Sequence, residues 1–546
     1  MRSRTDILLV ALAVSCVGSR PPSAPPAAEA PAAGPPDRLT LVFSASVAGQ
    51  LVPCGCSPDQ RGGLPRAVSL VRKLRASEPN LVFVDAGDLL FEGASRPPEQ
   101  MVAQRTLKAK TLAQGDALLG AAARAAGQRD LSLGPQFAAE TAQGVVLLDA
   151  GLGSVPGARA TLLVNAGPVK VGLFAAGLEQ DPAATISSRA RALRTEGARI
   201  VVLLLHPKGD NAFTAAQALL PAARAAGVDL VVLGRRDDPS TDPNRKDAGL
   251  PPLLAVEGHG QSLLRVDVHL GDGPLALLPG ADDRQAESKE LDVRIERFRA
   301  QIQLYPQRRE QLEAKIRELE ARKQAIATAK VEGPKPGSAW AQASFVPLTE
   351  DAGSDEAAQK LVEAYDQSVA KINLAEAKKQ PESCPAAEKG ELAYVGAARC
   401  AGCHDDAVAF WTQTRHARAY QTLVTVNKQF SLDCIRCHVT GWQQAGGVCR
   451  IDRTEVGGPG IDGHGVGRRD VQCEDCHGPG SEHVDDETGG HIRAEVPANF
   501  CMRCHEAENS PHFDDAKYRP FIVGPGHGKP LAKGEKPRPK EGTPLQ

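Results

Sequence analysis

Neither sign of charge dominates this chain of 546 residues. Its 64 basic and 66 acidic side chains leave a formal charge of −2, with an isoelectric point near 6.7. No global field therefore draws it to nucleic acid or to an anionic membrane surface. No apolar run after the first residues approaches membrane length, and the run at 7–14 is too short to span a bilayer. Cysteine is absent from 57 to 383, whereas ten of the thirteen fall between 384 and 504. That distribution excludes a disulfide net over the whole chain and points to a local chemical task. Methionine is scarcer still, with only Met1, Met101 and Met502.

What remains is ordinary for a soluble globular protein: 42% hydrophobic and 24% charged residues. The length exceeds one core and predicts two or three domains, with linkers supplied among 41 prolines and 53 glycines. Arg2 and Arg4 before the apolar run, and Ala13, Val14 and Ser15 before Cys16, read as an export signal over 1–16. A lipidated Cys16 is the expectation; an ordinary cleaved signal in which Cys16 is incidental is the alternative. Residues 17–37, rich in proline and alanine, then form an extended tether.

From 38 to 281 short apolar runs alternate with helix-spaced stretches. Strands are predicted at 39–43, 81–84, 145–148, 169–174, 200–205, 230–233, 253–256 and 263–269, with helices including 64–75 and 212–226. Continuous apolar strands separated by helices predict an α/β domain whose sheet is covered on both faces. From 284 to 330 charge dominates. Leu291, Ile295, Phe298 and Ile302 make one apolar stripe, and Leu312, Ile316 and Leu319 a second beyond Pro306. Two short stripes split by a proline predict a helical hairpin, either an intramolecular spacer or a dimerising coiled coil. Residues 331–383 read as linker plus one helix at 356–374. Residues 531–546, rich in lysine, proline and glycine, read as a disordered tail.

The segment 384–530 carries the chemistry. Four C-x-x-C-H motifs occur there: Cys400, Cys403 and His404; Cys434, Cys437 and His438; Cys473, Cys476 and His477; Cys501, Cys504 and His505. Two thiols one helical turn apart can reach the two vinyl groups of one porphyrin, and the next histidine presents its imidazole to the iron. A zinc site would pair two C-x-x-C units per metal and needs no histidine after each. Four c-type haems are therefore expected. Met101 lies in the α/β domain and Met502 inside the fourth motif, so methionine is excluded as an axial ligand. Outside the motifs this region offers His416, His464, His483, His491, His512 and His527. Mostly bis-histidine, low-potential haems follow.

Residues 394–527 resemble the tetrahaem cytochrome c-554 family. The likeness extends beyond the motifs to Arg399, Trp411, the run Thr414-Arg-His-Ala-Arg-Ala, Asp433 before the second motif, Val439-Thr-Gly after it, and Gly478-Pro-Gly after the third. The resemblance implies that His416 is a distal ligand to a haem other than the first. It implies His483 for the first haem, with His491 competing, and His527 rather than His512 after the fourth motif. It also implies a five-coordinate second haem at Cys434 to His438, which His464 puts in question. His416 is placed on a helix starting near Asp405, too far along to serve the first haem.

Residues 39–270 resemble the metallophosphoesterase domain of 5′-nucleotidases and UDP-sugar hydrolases. In that family two metals are held by D-x-H, G-D, G-N-H, a strand-end histidine and G-H-x-H. Here the landmarks read Ser46-Val-Ala, Gly87-Asp88, Gly127-Gln-Arg, His206 and Gly234-Arg-Arg-Asp. Asp88 and His206 survive and could hold one metal only weakly; a dinuclear site is lost. The resemblance thus implies a fold without its hydrolytic chemistry, able to bind a partner or small-molecule ligand. Beside the first landmark stand Cys54 and Cys56, read either as a reactive dithiol or soft-metal site or as a structural disulfide. Cys384 and Cys449 match no motif and are expected to pair with each other. The overall expectation is a periplasmic, lipid-anchored electron carrier served by redox partner proteins. Its rivals are a reductase working at an open second haem or at Cys54 and Cys56, and an active phosphohydrolase.

Overall fold

The computed structural model describes residues 37–540 apart from 54–59, 143, 152–154, 209–210, 235–243, 246–248, 279–287, 289–290, 293, 296–297, 300–301, 303–308, 329–333, 487–491, 507–509 and 511–512. The export signal, the tether, Cys16, Cys54, Cys56, Arg235 to Asp237, His491 and His512 lie outside these residues.

The α/β part runs β1 (Arg38–Ser44), α1 (Leu64–Ser77), β2 (Leu81–Asp85), α2 (Glu99–Leu119), β3 (Ala121–Ala126), β4 (Val146–Asp149), β5 (Leu162–Ala166), β6 (Val169–Ala176), α3 (Pro182–Thr195), β7 (Ile200–Leu205), α4 (Ala212–Ala225), β8 (Leu230–Leu233), β9 (Asn244–Arg245), β10 (Leu253–Ala255), β11 (Ser262–His269) and β12 (Asp272–Leu278). After α5 (Arg309–Thr328) come β13 (Ser338–Pro347) and α6 (Glu356–Ala377). The strands form two sheets, ordered β12-β13-β11-β1-β2-β3-β4 and β5-β6-β7-β8-β10-β9. β1 to β4 run parallel, as do β6, β7, β8 and β10.

Strand β7 shows why the runs are continuous. Ile200, Val202 and Leu204 enter a core shared by both sheets, while Val201, Leu203 and Leu205 pack against α3 and α4. Each sheet is thus covered on one face by the other sheet and on the opposite face by helices, which makes four layers. The helix starts are set locally. Asp181 accepts from Ala184 N ahead of Pro182 in α3, and Asn211 accepts from Thr214 N in α4. Because the central strands are parallel, the C-terminal ends of β1, β2, β3, β7 and β8 point the same way, toward the end where such sheets bind ligands.

Two stretches differ from the sequence expectation. Residues 338–347, read as linker, are a strand. β13 pairs antiparallel with β11 from Ser262↔Pro347 to His269↔Trp340 and seats β12 on its other edge. Ala339, Ala341 and Ala343 face the inter-sheet core. The helical hairpin is therefore an insertion between β12 and β13, two neighbouring strands at one margin of the sheet. Its stripes meet as the spacing predicts: Leu291, Ile295 and Ile302 cluster with Ile316 and Leu319. Residues 531–540, read as disordered, lie against the preceding segment. The Pro537 carbonyl accepts from Gln413 Nε2 at 2.9 Å, and the Lys540 ammonium sits 5.3 Å from the Phe521 ring centre.

The C-terminal segment is built of short helices, none longer than the seven residues of Asp405–Trp411 and Ala419–Thr425. Its apolar clusters are small, one around Tyr420, Leu423, Ile435, Val439, Val448 and Ile451 and another around Ala397, Trp411 and Ala417. A disulfide joins Cys384 to Cys449, with Cα atoms 5.0 Å apart, and encloses the first two motifs. Among the described residues no helix is long and apolar enough to cross a membrane.

Candidate haem centres

Each C-x-x-C-H unit forms a single turn, with all eight motif cysteines free. The turns bring the motifs together in pairs, with Cys400 beside Cys473 and Cys437 beside Cys504. Glu474, inside the third motif, ties the entry of the first to the exit of the third. Its carboxylate accepts from Gly396 N at 2.6 Å, Val395 N at 2.9 Å and Gly480 N at 2.8 Å. Burial pushes the neighbouring Asp475 carboxyl up to about 7, against hydrogen bonds from Thr440 and from the Gln472 amide.

Three motif histidines face a second imidazole. Ring centres lie 6.2 Å apart for His404 and His483, 6.3 Å for His416 and His505, and 6.1 Å for His477 and His527. An imidazole-to-metal bond of about 2 Å, with about 1.1 Å from ring nitrogen to ring centre, puts two trans imidazoles about 6.2 Å apart. The three gaps are therefore the size that one axially ligated iron requires. Ring orientation is set from behind. The Nδ1 atoms of His438, His477 and His527 donate to the carbonyls of Ala419, Arg493 and Ile522, each at 2.6 Å, which leaves Nε2 as the donor to a metal. His505 Nδ1 meets Ser510 Oγ at 3.1 Å.

His438 faces no second ring among the described residues. His464 directs Nδ1 to the Ala417 carbonyl at 2.9 Å and likewise faces none. His416 is not on the helix expected from Asp405. That helix stops at Trp411, where Thr414 Oγ1 takes the Trp411 carbonyl, and His416 opens a short 3-10 turn over His416–Arg418. Desolvation, reinforced by His505 and His438, pushes its imidazole down to about 4, so the ring is neutral at pH 7.

Sequence reading missed the seat of the second motif. Asp433, just before Cys434, reaches out of its segment to α2, where it pairs with Arg105 at 3.0 Å and with Lys108. Burial alone would push this carboxyl up, but Lys108 and Arg105 outweigh it and hold it below the usual range. Nothing local pointed to α2, since Lys428 and Arg436 offer nearer basic partners in sequence.

At the loop end of the α/β part the surviving landmarks face each other across a closed space. Asp88 Oδ1 accepts from the Arg129 amide at 2.9 Å, and Arg129 Nε lies 3.9 Å from Oδ2. The His206 Nε2 donates to the Ala86 carbonyl at 2.6 Å. Gly87, Gly127 and Gly234 wrap its ring so closely that a Cβ on any of them would come within 2.7 Å of it. Ser46, Ala48 and Asp88 hold φ of 48°, 54° and 56°, strain that persists at this end of the sheets. Among the described residues no three His, Cys, Asp or Glu side chains are grouped to hold a metal ion.

Residues 399–478 match the family described as cytochrome c554 and c-prime, which supports c-type haem as the cofactor of this segment. Cytochrome c-554 of Nitrosomonas europaea is 31% identical over 102 residues, 16% of this chain and 39% of that protein. The chain thus spans about two fifths of that relative's length. Among solved structures, the 5′-nucleotidase precursor from Thermus thermophilus overlaps 72% of this chain and 68% of its own, at 17% identity and a TM-score of 0.40. The calcineurin-like phosphoesterase YfkN from Bacillus subtilis overlaps 61% and 97%, at 14% identity and a TM-score of 0.38. Likenesses at that level describe shape and transfer no activity.

Proposed function

We propose that this chain is an exported multihaem c-type cytochrome that carries electrons through four covalently bound haems in the periplasm. Its α/β part is a phosphoesterase-like domain without hydrolytic chemistry. The observation that carries the reading is the set of three imidazole pairs, each spaced for one iron, beside four thiol pairs. Cys400 and Cys403, Cys434 and Cys437, Cys473 and Cys476, and Cys501 and Cys504 attach the porphyrins. His404, His438, His477 and His505 are the proximal ligands. His483 completes the first site, His527 the third and His416 the fourth. The haems supply one-electron chemistry at low potential, and backbone carbonyls orient the imidazoles of His438, His477 and His527. Redox proteins of the periplasm are the partners, an N-terminal lipid on Cys16 holds the chain at the envelope, and the α/β domain takes a small ligand or a partner.

A spectroelectrochemical titration of the holoprotein tests this. Four one-electron steps per chain are expected, with three low-spin signals and one high-spin; fewer than four electrons accepted removes the reading. His438, which faces no second ring among the described residues, favours a second reading in which an open iron there reduces a small nitrogen or sulfur species. Carbon monoxide added to the reduced protein should then bind one haem in four, and no binding would leave the carrier role alone.

Nucleotides and UDP-sugars should stay intact in the presence of manganese, zinc or cobalt, because Arg129 stands against Asp88 where a metal would need a ligand. Metal-dependent turnover above the blank would restore the hydrolase reading.

A further inference from the structure

Among the described residues the second motif is the one with no facing imidazole, and its entry is seated on the α/β domain. Four consecutive residues ahead of Cys434 are held by α2 and α6. The Phe430 carbonyl accepts from Asn373 Nδ2 at 2.8 Å, and Ser431 Oγ lies 3.4 Å from Gln104 Nε2. The Leu432 amide donates to Gln104 Oε1 at 2.9 Å, and Asp433 pairs with Arg105 and Lys108. Gln104 is fully buried and also accepts from Asn373 at 2.6 Å, so one side chain joins both helices to the motif. The charged side chains are 11% exposed for Lys108, 19% for Arg105 and 23% for Asp433. Salt screens charges so placed far less than surface ones.

We propose that Arg105 and Lys108 are positioning residues for the haem at Cys434 to His438: through Asp433 they fix its binding segment, and as buried cations they raise its reduction potential. The proposal rests on the reading that this motif carries a haem. Reduction adds one negative charge to the iron site, and nearby buried cations stabilise the reduced form. Arg105 and Lys108 both face Asp433, and the further carboxylate near Lys108, Asp366, is itself opposed by Lys428. Glu92 meets Arg105 at 3.1 Å but is more than half exposed, so solvent weakens its opposition.

The test is a potentiometric titration of the full-length holoprotein and its variants. The second haem is identified as the signal lost in Cys434→Ala/Cys437→Ala. Lys108→Met should lower the reduced-to-oxidised ratio of that haem at fixed solution potential about tenfold, about 60 mV for one electron. Asp433→Asn should raise it by a similar factor, and the double variant should return to within about twofold of the native value. Lys108→Arg, which keeps the charge, should keep the native ratio. A merely structural clamp would shift Lys108→Met and Asp433→Asn in the same direction. Asp433→Asn decides alone should Lys108→Met not accumulate: an unshifted or lowered ratio overturns the proposal. A mature mass lacking the haem at Cys434 and Cys437 instead removes the underlying reading, and is distinguished by peptide mapping.

Discussion

Changing Cys473 and Cys476 together to alanine should remove one haem and no more. Produced in a host that matures c-type haem, the native protein should carry four haems at roughly 0.6 kDa each, a gain of about 2.5 kDa. The double variant should lose about 0.6 kDa of it and about a quarter of the haem absorbance. Each motif has its own thiol pair and its own proximal histidine, so attachment at the other three does not need Cys473 or Cys476. The variant is nonetheless a demanding one. Cys473 touches Cys400, and Glu474 between the altered positions holds the backbone of Val395 and Gly396. His477 would lose the thioether anchor but keep its hydrogen bond to the Arg493 carbonyl. A native mass without the 2.5 kDa increment would take away the cytochrome reading, and loss of two haems would show that the first and third sites form as one unit.

How much of this was legible in the sequence depended on whether the determining contacts were local. Strands such as β7 and β8 are fully buried on both faces, so their apolar runs mark them almost to the residue. Strand β13 escaped because its run, Ser-Ala-Trp-Ala-Gln-Ala-Ser-Phe-Val-Pro, is alanine-rich and follows a Gly/Pro stretch. Its pairing with β11 spans some seventy residues, and no local pattern reports so distant a partner. The haem motifs were plain because their chemistry sits in five consecutive residues. The facing imidazoles had no local signal and came only through the family resemblance, since His404 and His483 meet after the chain has passed through two further motifs. The seat of the second motif was hidden for the same reason. Gln104, Arg105 and Lys108 belong to no motif, and only the fold turns them toward Phe430 to Asp433. The surviving Asp88 and His206 were readable as landmarks. The closing of backbone around His206 by Gly87, Gly127 and Gly234 joins three loops far apart in sequence and has no local pattern.

His416→Ala should convert one low-spin haem to high spin and raise that haem's potential. The ring lies on a turn between the first and second motifs but faces His505, eighty-nine residues further on, with 6.3 Å between ring centres. It is therefore a cross-link between segments. The Val471 amide donates to the His416 carbonyl at 3.1 Å, and Ala417 beside it accepts from His464, so backbone from both flanks holds the turn in place. Removing the imidazole takes a strong-field nitrogen from the face opposite His505 and leaves His505 itself held by Ser510 and stacked on Phe513 at 4.4 Å. The oxidised iron, which the nitrogen donor stabilises more than the reduced one, should lose most, so the potential rises. Carbon monoxide should then bind one haem more than in the native protein. His464→Ala and His512→Ala are the controls. His464 spends its Nδ1 on a backbone carbonyl and faces no second ring among the described residues, and both variants should keep the native spin state. Unchanged spectra in His416→Ala, together with altered spectra in His464→Ala, would overturn the assignment of the fourth site and the open second haem with it.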